Sequence, residues 1–256
     1  MSGVKHWLIP DWPAPVNVRA ATTLRTGGFS TGAYASLNPA LHVGDDPKQV
    51  KQNRRLIKEW LALPGEPFWL DQVHGNQAVW ALKSESLPQA DASYTAESGV
   101  VCAVMTADCL PLLVCTADGR QVAAIHAGWR GLLAGVIGNT LAAMSPPPSP
   151  CFTKGRIEGN FLVWLGPAIG PDCFEVGIEV RTVFLAKSAA FSSAFKPQSN
   201  GQWLADIYQL ARVELAMLGI DQVYGGDFCT VTDHQRFYSY RRDKDAGRMV
   251  TLIWRT

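Results

Sequence analysis

Between residues 100 and 127 the chain carries three apolar, β-rich runs, VVCAVMT, PLLVCT and QVAAIHA, separated only by ADCL and ADGR. Runs this short, bounded by turn residues, read as strands, and their near-continuous apolar character predicts burial on both faces. A sheet buried on both faces needs covering layers. The segment 129–144 supplies one candidate, with Leu132, Leu133, Val136, Ile137, Thr140 and Leu141 at helical spacing.

Two further amphipathic helices are predicted. Residues 47–63 place Val50, Leu56, Ile57 and Trp60 on one side, with Pro47 suited to the first turn. Residues 203–218 carry Leu204, Ile207, Leu210, Ala211, Leu215 and Leu218 on one stripe and end at Gly219, a good C-terminal cap. VRAATTLR and FLVWLG read as strands, and TGGFSTGAYASLN has turn chemistry throughout. FWLDQVH and QAVWAL read as two short strands of a hairpin about Gly75 and Asn76. The proline-rich stretch 145–160 is expected to be a surface loop within one domain. Interleaved strands and helices, 256 residues and 47% hydrophobic content predict one compact layered domain of the α/β or α+β class.

Charge is nearly balanced, 23 Lys and Arg against 22 Asp and Glu, so no general footprint for nucleic acid or anionic membrane is present. The expected partner is a small molecule. The apolar start of MSGVKHWLIPDWPAPV is broken by Pro10 and Asp11, which fits neither a secretory core nor a membrane span and predicts a cytoplasmic protein. Six cysteines without a CxxC pair are expected to be thiols, most of them small buried hydrophobes.

Of five histidines, His74 follows one predicted strand and His126 ends another, while Cys109 sits at the break between two strands. Strand ends of one sheet bring together side chains that are distant in sequence. Two imidazoles and a thiolate suit zinc with a fourth position open, the mark of a catalytic site. The same residues allow a rival, a Cys109 nucleophile with His126 as its base, which has no need of His74. His42 belongs either to a loop turn or to the wall of the same cleft.

HAGWRG also offers an anion site: Gly128 admits close backbone approach, the following helix start presents free N–H groups, and Arg130 is near. Further arginines stand at Arg25, Arg54, Arg241, Arg242 and Arg248. Their forked guanidinium groups suit phosphate or carboxylate.

With TTLRTGGFSTGAYASLN, HVGDD, NRRL, LDQVHG, TADCLPLL, HAGWRG, LGPAIGPDCFEVG, CT and YSYRRDKDAGRM in this order, the chain closely resembles the YfiH-like family. That family is also called the laccase-domain or multicopper polyphenol oxidase family. The resemblance runs from about Val18 to the C-terminus. It implies a single catalytic domain at 18–256 behind an N-terminal extension at 1–17, built as a three-layer α/β/α sandwich with a mixed sheet and related to bacterial toxin cysteine amidases. It also implies zinc held by His74, Cys109 and His126.

The activity it implies is purine nucleoside chemistry: phosphorolysis of adenosine, inosine, guanosine and methylthioadenosine, and deamination of adenosine. Other members are named polyphenol oxidases, or are implicated in editing peptidoglycan precursors. Five histidines are too few for a multicopper cluster, although two His and one Cys would accept a single copper as a substitute. On the purine reading Cys109 and His126 form the catalytic centre, and Asp108 or Glu175 moves protons. Arg25, Arg54 and Arg130 then hold phosphate, and Asn38 and Gln72 orient ribose or base.

Overall fold

The three central runs form the strands Val101–Thr106, Leu110–Thr116 and Val122–Ala127, but they do not share a sheet. The computed structural model describes residues 5–82, 87–145 and 160–256. Val101–Thr106 lies in a five-stranded sheet ordered Trp7–Leu8, Val18–Thr23, Met249–Arg255, Val101–Thr106, Pro67–Phe68. The other two runs lie in a six-stranded sheet ordered Val223–Gly225, Phe161–Leu165, Leu110–Thr116, Val122–Ala127, Ala92–Thr95, Ala78–Trp80. The central pairs of both sheets are antiparallel and the remaining pairs include parallel ones, so both sheets are mixed.

The sheets pack face to face. Cys102, Val104 and Ile253 of the first meet Leu113, Cys115, Ala124 and Trp164 of the second. The outer face of the first sheet, with Ala103, Met105 and Leu252, packs on Ile57 of the helix Pro47–Trp60. The outer face of the second, with Leu112, Val114 and Ile125, packs on helices Trp129–Ala134, Val136–Met144 and Ile207–Met217. The domain therefore has four layers, α/β/β/α, and not the three-layer sandwich with one mixed sheet that was expected. A strand needs apolar residues on both sides whether its covers are two helical layers or a helix and a second sheet, so the pattern does not distinguish them.

Three local differences have identifiable causes. The helix expected over 129–144 is divided by Gly135, whose φ of 85° is left-handed, yet both halves keep their apolar face on the sheet. The helix expected from residue 203 starts at Ile207, because Asp206 caps it by accepting the Gln209 N–H at 3.0 Å, worth about 1 kcal/mol. Trp203–Ala205 is thereby left to pair as a strand with Phe195–Pro197. The same helix ends as expected: the Gly219 N–H bonds the Ala216 carbonyl and the Ile220 N–H bonds the Leu215 carbonyl.

The hairpin about Gly75 and Asn76 does not form. Pro67–Phe68 joins the first sheet and Ala78–Trp80 the second, since residues 73–75 wrap a buried carboxylate described below. Ahead of residue 18, Trp7–Leu8 pairs with Thr22 and Thr23, which hydrogen-bonds this segment into the first sheet. The surface loop read at 145–160, Cys151 included, lies outside the described residues except at its ends. No helix among the described residues is long and apolar enough to cross a membrane.

Candidate metal centre

Antiparallel pairing sets Leu110 opposite Ala127 and Pro111 opposite His126, so Cys109, just ahead of its strand, and His126, near the end of its own, reach the same edge of the second sheet. His74 arrives from the loop between the sheets. Its φ is 60°, and Asp108, beside Cys109, has a φ of 93°. Non-glycine residues hold such angles only where their surroundings fix them.

Much of that fixing at His74 comes from Asp91, which is fully buried. Its carboxylate accepts the backbone N–H of His74 at 2.9 Å, of Gly75 at 2.6 Å and of Val73 at 3.3 Å, and it meets His126 Nδ1 at 2.7 Å. One carboxylate thus sets the backbone under one imidazole and the ring orientation of the other. With Nδ1–H donated to Asp91, His126 turns its Nε2 toward Cys109 and His74, the nitrogen that a metal would take once its proton has left.

The donor atoms of His74, Cys109 and His126 all lie within 4.8 Å of one another, and Cys109 Sγ is 3.8 Å from His74 Nε2. Zinc bonds of about 2.0–2.1 Å to nitrogen and 2.3 Å to sulfur imply tetrahedral donors about 3.3–3.7 Å apart. Closing the cluster takes about 1 Å of side-chain movement by that comparison. The set of two nitrogens and one sulfur, with an outer carboxylate on one ring, fits such an ion.

Electrostatics prepares the same set. Burial pushes the Cys109 thiol up, but the charge and hydrogen bonds of His126, with those of His74, outweigh it and bring the thiol down to about 6. Burial alone would lower His126, yet the Cys109 thiolate and Asp91 raise it to about 9. Burial likewise opposes ionisation of Asp91, and the His126 contact with the Gly75 and His74 N–H groups prevails, holding the carboxyl below its ordinary range.

The metal-free pair is therefore thiolate and imidazolium at neutral pH, and binding a metal must expel the imidazolium proton. From this pair, metal affinity is expected to rise about tenfold per pH unit between about 6 and 9. Below about 6 the rise doubles in steepness, because the thiol proton must leave as well. Calorimetric titration in buffers of different ionisation enthalpy counts these protons. A proton-free binding step at pH 7.5, roughly midway in that window, would contradict the assignment.

Gly128 closes the centre from the helix side. A Cβ there would lie 3.0 Å from His74 Cδ2 and 3.1 Å from Cys109 Sγ. Gly128→Ala is therefore expected to displace both ligands and weaken metal binding about tenfold, the lower end for outer-shell changes. Unchanged affinity in a competition assay with a chelating dye would show that the ligands yield freely.

Two depressions meet at His74 and Cys109 and share Tyr240. The first, about 240 Å³, has an apolar wall of Trp129, Ile169 and Phe174, with Asp108 and Arg130. The second, about 290 Å³, is lined by His42, Gln72, Met105 and Arg248, with His126. His42 therefore belongs to the cleft wall. Burial, then the charge of Arg248, holds its imidazole below the ordinary value.

The other residues singled out in the sequence divide between these clefts and their supports. Arg130 stands exposed at the first, stacked 4.4 Å from the ring of Trp129. Gln72 stands at the second, donating to the Met105 carbonyl at 2.8 Å and accepting the Met105 N–H at 2.7 Å. Asp108 accepts the Thr230 hydroxyl and the Arg241 N–H, both at 2.6 Å. Glu175 is exposed, receives the Asn200 amide at 3.2 Å and lines neither cleft.

Arg25, Arg54 and Asn38 line neither cleft and support nearby backbone instead. Arg25 bonds the carbonyls of Ala35 and His234. Arg54 bonds that of Pro39 and stacks on Trp69. Buried Asn38 bonds Asp45 and accepts the N–H of Arg248 at 3.0 Å. Asp91 and Tyr240 were not anticipated. The signal available for Asp91 was a lone carboxylate between Ala90 and Ala92 at the start of a strand, since a buried charge there requires partners.

A mixed α/β domain with a His–Cys–His centre between two clefts is the class of protein that fold and site define. Residues 19–256 match the family described as multi-copper polyphenol oxidoreductase laccase, and the chain belongs to that family. Among its relatives, the protein named purine nucleoside phosphorylase PA4543 of Pseudomonas aeruginosa is 51% identical, over 97% of this chain and 98% of its own. Purine nucleoside phosphorylase YfiH of Escherichia coli is 49% identical over 96% and 98%. The crystal structure of Neisseria meningitidis protein NMB0706 superimposes with a TM-score of 0.90 at 46% identity, covering 98% of this chain and 99% of that one.

Proposed function

We propose that the chain is a metal-dependent purine nucleoside phosphorylase, with zinc as its ion at His74, Cys109 and His126. The observation that carries this reading is the pair of clefts meeting at Cys109, one with the rings of Trp129, Phe174 and Tyr240 beside Arg130 and Arg241, the other with His42, Gln72 and Arg248. Phosphorolysis needs two reactants side by side: the glycosidic C–N bond breaks as phosphate oxygen bonds C1′. A purine suits the wall of Trp129, Ile169 and Phe174, and phosphate suits Arg248 and His42. The names of the relatives support the same class.

A divalent ion in this donor set supplies Lewis acidity beside the developing charge. Asp91 keeps His126 oriented throughout. Asp108, at the first cleft, is the candidate for moving a proton on the purine, with Glu175 a less direct alternative across Phe174. Gln72 and Arg130 orient substrate at the two mouths, while Asn38 holds the backbone of Arg248, and Arg25 and Arg54 brace the carbonyls of Ala35, His234 and Pro39. The substrates are adenosine, inosine, guanosine and methylthioadenosine, with deamination of adenosine at the same centre in the cytoplasm. Copper can substitute for zinc in this donor set.

Chromatography of adenosine and inosine incubations, with and without phosphate, tests the reading. Adenine or hypoxanthine is expected only with phosphate, and inosine from adenosine in either buffer, all lost in Cys109→Ala. If the zinc-loaded protein forms none of these yet cleaves a peptidoglycan-type amide after chelation, a cysteine amidohydrolase replaces this reading.

A further inference from the structure

Cys173 and Cys229 meet in a separate depression of about 400 Å³, on the other side of the segment that walls the first cleft with Ile169 and Phe174. Gly170 lets them approach: its N–H points to Cys229 Sγ at 3.3 Å, and a Cβ there would fall 2.9 Å from Cys229 Cβ. The Cys173 N–H returns to the Gly170 carbonyl at 3.0 Å, and this tight turn sets both cysteines in the wall of the one depression. Both residues are half-buried and free, whereas Cys102 and Cys115 are buried in the core.

The two thiols are unequal. Burial raises Cys229, but the hydroxyl of Thr232 and the N–H groups of Thr232, Gly170 and Val231 outweigh it, so its thiolate is favoured. Burial, then the neighbouring Cys229, pushes Cys173 up to about 11. The depression is also lined by Asp172, Asp227 and Asp233, against one guanidinium, Arg236, already bonded to Asp233. Such a lining repels anionic reagents and admits a small neutral one.

We infer that Cys229 and Cys173 form a peroxide-reactive dithiol, with Cys229 the attacking sulfur and Cys173 the resolving one. The Cys229 thiolate attacks one peroxide oxygen: an S–O bond forms, the O–O bond breaks, and the departing hydroxide leaves as water after taking a proton. Cys173 then attacks the sulfenic sulfur, forming the disulfide and releasing the second oxygen as water with the Cys173 proton. Two thiols are oxidised and one hydrogen peroxide becomes two waters. The disulfide ties residue 173, next to Phe174 of the cleft wall, to residue 229, next to Thr230, which donates to Asp108. The inference does not depend on which substrate the clefts take.

The test is a peptide map of the full-length, metal-loaded protein after hydrogen peroxide at near-stoichiometric dose. One cross-linked pair carrying Cys173 and Cys229 is expected, with metal content unchanged. In Cys173→Ser, Cys229 should halt as a sulfenic acid that dimedone captures, whereas Cys229→Ser should leave Cys173 reduced. Thr232→Val should slow the reaction about tenfold by removing a stabiliser of the thiolate. Oxidation of Cys109 before either thiol, or equal reactivity of Cys173 in Cys229→Ser, would overturn the assignment.

Discussion

Cys109→Ala is expected to lower zinc affinity by roughly three orders of magnitude, taking apparent binding energies of about 10–16 kcal/mol shared over three protein ligands. Catalysis should fall below detection, because the residue stands where both clefts meet. The thiolate is the only anionic donor of the three, and its removal leaves two neutral imidazoles with weak hold on a divalent ion. His74→Ala separates the two chemistries that these residues permit. A metal centre loses a ligand and should behave much as Cys109→Ala does, with zinc lost on dialysis. A Cys109 nucleophile with His126 as base would tolerate the change, since His126 keeps its Asp91 partner at 2.7 Å. Metal analysis paired with product chromatography on both variants decides between them: retained activity without zinc in His74→Ala sinks the metal reading.

The meeting of His74, Cys109 and His126 was legible because a polar residue at the end of an apolar strand has few places to go other than the sheet edge, where strand ends converge. Their support was not. Asp91 stands between two alanines just ahead of the strand Ala92–Thr95, so no periodicity marks it, and its value comes from the N–H groups of residues 73–75, which only the folded loop brings to it. The arginines show the opposite error. Arg25 and Arg54 sit in motif-like stretches, yet they line neither cleft, and their guanidinium groups bond the carbonyls of Ala35, His234 and Pro39. What an arginine binds is set by which acceptors the chain folds around it, and spacing carries no record of that. Arg248 also bonds carbonyls, those of Ala246 and Gly247, but buried Asn38 holds its backbone and it lines the second cleft. The second sheet escaped notice for a related reason: alternating positions such as Cys102 and Ala103 are both apolar, although one faces the other sheet and the next faces a helix.

Asp91 offers two substitutions with separable outcomes. Asp91→Ala strips the acceptor from His126 Nδ1–H and from the His74 and Gly75 N–H groups, all at 2.6–2.9 Å. Breaking such a buried pair costs about 3–5 kcal/mol, which in a domain of this size lowers Tm by roughly 10 °C. Asp91→Asn keeps the shape and one oxygen. With that oxygen on the Gly75 and Val73 N–H groups, the amide nitrogen takes the place of Oδ1, where it faces both His126 Nδ1 and the His74 N–H and can only donate. The imidazole must answer with Nδ1 as acceptor, which moves its proton to Nε2 and blocks the lone pair a metal needs. Asp91→Asn is therefore expected to lose about 10–100-fold in zinc affinity while remaining folded. The acid limb supplies a second readout. Because the folded carboxyl lies below its ordinary 3.8, its contribution is complete above that pH and is lost as pH falls through the folded value. Denaturation midpoints followed as pH falls from about 5 to about 2 should drop less steeply in Asp91→Asn than in the parent. Wild-type zinc affinity in the asparagine variant would show that His126 does not take its tautomer from Asp91.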